Sequence, residues 1–280
     1  MSSDLQPARR AMTTPEALAD FSKEVFTVEQ VSRDVFLRGH GPAVLIVHEV
    51  PGITPEVAHF ARQVADKGFT VALPSLFGRP GKPRSALYLA SSLARACIRQ
   101  EFFAFARHTS SPITDYLRGL GKLLHDRCGG PGIGFVGMCF TGNFALAMMA
   151  DRRVLAPVLS QPSLPLAISP AHGRALHVSP QELQIGRQHA IENGCRPLAL
   201  RFTGDPTVPA SRFASLHEQF GDAVELIEID SSLGNPHGIA PWAHSVLTND
   251  RQEDPDHPTQ KAFERVIELF QQRLIDTQPI

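Results

Sequence analysis

The sequence predicts an α/β fold: a mostly parallel central sheet with helices on both faces. Short, continuously apolar runs recur along the chain, Ala43 to Val47 and Ile133 to Val136 among them. Runs of that kind mark strands buried on both faces. Longer helix-forming segments separate them, opened by capping residues or prolines and closed by glycines. The length of 280 residues suffices for one large core.

Taken in order, residues 1–24 are polar and lack an apolar signal core, so they read as a flexible leader before a single domain over 25–280. Phe26 to Leu37 alternates loosely, as in an antiparallel strand or hairpin. After the Ala43 strand, Thr54-Pro55-Glu56 opens a helix with a cap and a proline at its first position, and Gly68 stops it. Phe69 to Leu73 is the next strand. Residues 75–87 form a loop rich in Pro, Gly and Arg. Tyr88 to Arg107 reads as helical, either continuous or broken, and Pro112 starts a further helix that Gly129-Gly130 ends. Strands over Val154 to Leu159, Pro197 to Phe202 and Val224 to Ile229 alternate with helices from Ser179 and Ser211, and a Pro/Ser-rich loop follows the first of these strands. A long loop precedes a last helix reaching about Ile275.

Composition excludes several function classes. Net charge is −1, and no basic block of the kind that holds phosphate backbones is present, so no nucleic-acid partner is expected. No apolar run approaches the roughly 20 residues of a membrane span, so no membrane partner is expected either. Cys97, Cys128, Cys139 and Cys195 are scattered without a CxxC pair, which argues against a zinc site or a disulfide framework. A reduced, cytoplasmic setting suits free thiols.

The chemistry concentrates at Gly137-Met138-Cys139-Phe140-Thr141-Gly142. A buried strand enters a Gly-x-Cys turn, and the helix-forming run Phe144 to Ala150 follows. That is the layout of a nucleophile elbow, with cysteine as the nucleophile. The turn presents Cys139 at a helix N-terminus, where partial positive charge favours thiolate over thiol. Asp205 ends a strand two strand-helix units later, where triad chemistry needs a carboxylate to orient a histidine. The base must come from the loop after the last strand. Two histidines there compete, His237 and His244; motif grounds favour His244. His48-Glu49-Val50-Pro51-Gly52 follows the strand that supplies one oxyanion N–H in this layout. The backbone N–H groups of Val50 and Phe140 are the expected oxyanion donors. Glu49 would then stand near the thiol and support it.

Together, Gly137-Met138-Cys139, His48 to Gly52, Gly204-Asp205-Pro206-Thr207-Val208-Pro209 and Ala243-His244-Ser245 resemble the dienelactone hydrolase family of α/β-hydrolases. The likeness covers roughly residues 25–275. It implies a Cys139-Asp205-His244 triad, a glutamate matching Glu49 that interacts with the nucleophile, no cofactor or metal, and a small-molecule ester or lactone as substrate. Thr141 stands where the family pattern has glycine, and Thr248 stands where dienelactone-cleaving members carry an arginine four residues after the histidine. Arg79, Arg84, Arg95 and Arg99 lie near the loops expected to line the pocket; any of them can hold an anionic substrate, with solvation at the surface the simpler fate of each. The alternatives are a general carboxylesterase or thioesterase on the same fold, and a non-catalytic binding protein.

Overall fold

Continuous apolar strands need cover on both faces, and the computed structural model, which describes residues 16–276, supplies it. Eight strands form one sheet in the order β1-β2-β4-β3-β5-β6-β7-β8. They are β1 (Ser22–Val28), β2 (Val31–Arg38), β3 (Ala43–Val47), β4 (Thr70–Pro74), β5 (Ile133–Met138), β6 (Val154–Ser160), β7 (Leu198–Phe202) and β8 (Glu225–Ile229). β1 and β2 form the expected hairpin, and β2 runs antiparallel to β4. All other pairings are parallel.

The helices are α1 (Pro55–Ala65), α2 (Ala86–Ile98), α3 (Ile113–Cys128), α4 (Phe144–Met148), α5 (Pro170–Arg174), α6 (Pro180–Asn193), α7 (Ala210–Phe220) and α8 (Pro258–Leu274). Successive strand side chains point to opposite faces. In β3, Val44 and Ile46 therefore join α1 and α8 in one core, while Leu45 and Val47 join α3 and α4 in the other. Thr54 caps α1 as its sequence predicts, accepting the Val57 N–H at 3.4 Å.

Three expectations need correction. The leader was expected to run through residue 24; residues 1–15 lie outside the described residues, but the fold already includes Leu18 and Phe21, both buried. Arg62 of α1 ties this segment down, bonding Asp20 at 2.7 and 2.8 Å and lying 5.6 Å over the Phe21 ring. The helix expected to reach Arg107 ends at Ile98. Beyond it Phe103 and His108 have positive φ, and Phe102 turns inward onto Phe77 and Phe140. Helix α5 lies in what reads as a Pro/Ser-rich loop; Ser169 caps it and Pro170 is its first residue. Among the described residues no helix is long and apolar enough to cross a membrane.

Two enclosed histidines make the fold sensitive to acid. Burial pushes both His48 and His177 down to about 4, from an ordinary 6.5. Each is neutral in the folded chain and protonates first in the unfolded one. Their contribution is complete above pH 6.5 and is lost as pH falls towards 4. Each adds a slope of up to about 1.4 kcal/mol per pH unit in that window. Urea titrations of wild type and His177→Gln at several pH values measure it. The variant should show the shallower slope between pH 6.5 and 4; equal slopes contradict the assignment.

Candidate active site

β5 delivers Cys139 at the carboxyl edge of the sheet, where open α/β sheets gather their reactive groups. The residue has φ 54°, a left-handed conformation rarely taken by a non-glycine residue. Two glycines allow it. A Cβ on Gly137 would lie 2.3 Å from the Thr141 carbonyl oxygen, and one on Gly142 would lie 2.5 Å from Pro162 Cα. The position between them does not need glycine. Thr141 Oγ1 donates to the Val47 carbonyl at 2.9 Å and accepts the Met138 N–H at 3.0 Å, lacing the elbow to the end of β3.

Asp205 leaves β7 and His244 sits in the loop after β8. Their loops touch closely: a Cβ on Gly204 would lie 2.4 Å from the Pro241 carbonyl oxygen. His244 Nδ1 meets Asp205 Oδ2 at 2.6 Å. Asp205 Oδ1 accepts from Thr207 twice, from the backbone N–H at 2.9 Å and from Oγ1 at 2.8 Å. The His244 turn is held by Asp250, whose Oδ2 accepts the N–H groups of His244 at 2.9 Å and Ser245 at 2.8 Å.

The Cys139 Sγ, a His244 ring nitrogen and a Glu49 carboxylate oxygen all lie within 4.8 Å of one another. Burial works to depress the His244 pKa, but its interactions with the neighbouring Cys139 and the Asp205 carboxylate more than offset it and hold it well above the ordinary range. Burial would raise Asp205; its bonds to His244 and Thr207 win and lower it. The other histidine, His237, is not brought to this group. It is exposed, and its ring meets His257 at 5.3 Å.

Glu49 is buried, with Oε2 accepting from Ser245 Oγ at 2.7 Å and from Gln161 Nε2 at 3.3 Å. Thr248 Oγ1 donates to its other oxygen. The threonine in the arginine position thus anchors the glutamate. Ser163 Oγ lies 3.6 Å from Cys139 Sγ, and its backbone N–H donates to the Cys139 carbonyl at 3.0 Å. Arg84 reaches Ser245 Oγ at 3.4 Å. Val50 and Phe140, the expected oxyanion donors, are buried at the exits of β3 and β5. The turn bearing Val50 is braced by neutral His48, whose Nε2 accepts the Leu76 N–H at 3.1 Å while Nδ1–H donates to the Glu49 carbonyl at 3.0 Å.

Sequence reasoning missed Thr207, Asp250, Gln161 and Ser163. The only signal for Thr207 was its place two residues after Asp205. The other three lie in loops without a motif.

Residues 37–274 match the profile of the Dienelactone hydrolase family. None of the curated proteins matches the sequence. Among solved structures, a Klebsiella pneumoniae subsp. pneumoniae protein assigned as a dienelactone hydrolase superposes with a TM-score of 0.61 at 15% identity, over 90% of this chain and 98% of its own. A Pyrococcus furiosus esterase gives 0.57 at 14% identity, over 95% and 98%. An Anabaena variabilis dienelactone hydrolase gives 0.56 at 17% identity, over 91% and 99%. At these identities the structures speak to the fold, which is that of the α/β-hydrolases. The profile spans most of the length and takes in the elbow, so the chain belongs to the dienelactone hydrolase family.

Proposed function

We propose that this protein hydrolyses a small ester or lactone through a Cys139 nucleophile, with His244 as base and Asp205 as its orienting carboxylate. One observation carries the reading: Cys139 at the left-handed apex of the elbow, within 4.8 Å of a His244 ring nitrogen, with His244 Nδ1 on Asp205 at 2.6 Å. With Nδ1 committed to Asp205, Nε2 takes the thiol proton. The thiolate adds to the substrate carbonyl, and the Val50 and Phe140 N–H groups receive the oxyanion. As the tetrahedral intermediate collapses, the C–O bond breaks and His244 returns its proton to the leaving oxygen. Water, deprotonated by His244, then cleaves the thioester and restores the thiol. A thiolate leaves easily, so activated esters and enol lactones suit the site better than amides.

Thr248 on Glu49 favours a broader ester substrate over dienelactone itself, because a threonine there offers no cation to a substrate carboxylate, although Arg84 reaches Ser245 Oγ at 3.4 Å. Glu49, fixed by its three donors, supports the pair from beside the thiol. The four free cysteines suit a reducing compartment such as the cytoplasm.

Hydrolysis of an activated aryl ester by wild type and Cys139→Ala tests the reading. The variant should fold normally and lose at least about 10³-fold in kcat/KM. Equal rates, or none in either protein, would move a binding role to the front.

A further inference from the structure

We propose that a cavity of about 560 Å³ beside α2, separate from the Cys139 group, is a binding site for a small organic phosphate. Its size suits a small molecule. The loop after β4 contributes Phe77, Arg79 and Lys82 to its wall, and α2 contributes Tyr88, Arg95 and Ile98.

The charge balance of this segment is one-sided. Residues 67–100 contain Lys67, Arg79, Lys82, Arg84, Arg95 and Arg99, and no Asp or Glu. Several arginines elsewhere pair with carboxylates, as Arg62 with Asp20, Arg127 with Glu24 and Arg265 with Glu225. Arg99 does so too, meeting Glu101 at 2.5 Å, and Arg84 is directed to Ser245. That leaves Arg79, Lys82 and Arg95 around one recess with no carboxylate ion pair among the described residues. All three are exposed, so water screens part of their mutual repulsion, and an anion in the recess removes more of it. Phosphate oxygens match both the planar guanidinium fork and the ammonium point charge.

The rim is also built. The Tyr88 hydroxyl accepts the Arg79 N–H at 2.6 Å, and Lys82 Nζ lies 4.2 Å over the Tyr88 ring. Phe77, which is buried, gives the recess an apolar wall for the organic part of the ligand, while Ile98 beside it is largely exposed. The site abuts the turn that carries Val50: a Cβ on Gly78 would lie 1.9 Å from the Pro51 carbonyl oxygen. A ligand there therefore sits one residue contact from the proposed oxyanion donors without touching Cys139.

Calorimetric titration with pyrophosphate tests the site, at low and moderate salt. Wild type and Cys139→Ala should both bind one equivalent saturably, with affinity falling as salt rises. The double variant Lys82→Gln/Arg95→Gln should bind at least tenfold more weakly. A control, Arg187→Gln/Arg196→Gln, removes two exposed cations elsewhere and should bind as wild type does. No saturable binding, binding unchanged in the cavity variant, or equal loss in the control overturns the proposal. Because Cys139→Ala is titrated alongside, failure here is distinguishable from failure of the hydrolase reading.

Discussion

Asp205→Asn is expected to leave the fold in place and lower ester turnover by about 10⁴-fold, the scale seen when a triad carboxylate becomes an amide. The geometry supplies the reason. Two donors from Thr207, the N–H at 2.9 Å and Oγ1 at 2.8 Å, converge on Asp205 Oδ1. An asparagine there must place its oxygen on Thr207 and therefore its NH₂ against His244 Nδ1. That forces Nδ1 to accept, puts the ring proton on Nε2, and leaves no lone pair to take the thiol proton. The substitution also removes the negative charge that helps raise the His244 pKa. Steady-state kinetics on an aryl ester, beside a thermal melt, measure the effect. Activity within tenfold of wild type would mean that Asp205 does not orient the base.

Gly137→Ala should be the most damaging small substitution near the site, at about 3 kcal/mol of stability together with loss of activity. Its new Cβ would lie 2.3 Å from the Thr141 carbonyl oxygen and 2.9 Å from that of Gly142, and neither is the end of a flexible side chain. The elbow must open to admit it, which breaks the Thr141 bond to Val47 and turns Cys139 away. Gly194→Ala is the comparison. Gly194 closes α6 at φ 62°, and its Cβ would meet only the flexible Arg273 side chain at 3.4 Å. That change should cost about 1 kcal/mol, the left-handed penalty alone. Urea denaturation of both variants gives the difference, and equal costs would contradict the close-approach argument.

These two sites mark the boundary of what the sequence reveals. The strands were legible because burial on both faces leaves a continuous apolar run, as in Ala43 to Val47. The elbow was legible because a tight strand-to-helix turn needs Gly137 at a fixed offset from Cys139. Which histidine faces Asp205 was not decided by spacing. It depends on Asp250, whose carboxylate holds the His244 turn by accepting the His244 and Ser245 N–H groups, a contact that no motif announces. The loop after β6 was illegible for a similar reason. Arg212 of α7 is fully buried and donates to the carbonyls of Pro162, Pro165, His172 and Ala175, which holds Ser163 against Cys139. Burial lowers this guanidinium to about 10, and the nearby Asp205 carboxylate acts in the opposite direction. Nothing in a helix-period pattern distinguishes such an arginine from a solvated one. The helix expected through Arg107 failed because its apolar residues serve a different geometry: Phe102 packs inward, and the backbone turns at Phe103.

The most direct test joins the kinetic comparison of wild type and Cys139→Ala to the mass of the enzyme quenched during turnover of the aryl ester. The account predicts an acyl adduct that maps to the Cys139 peptide in wild type and is absent, together with the activity, in the variant. An adduct on another residue, or turnover that survives in Cys139→Ala, would contradict it.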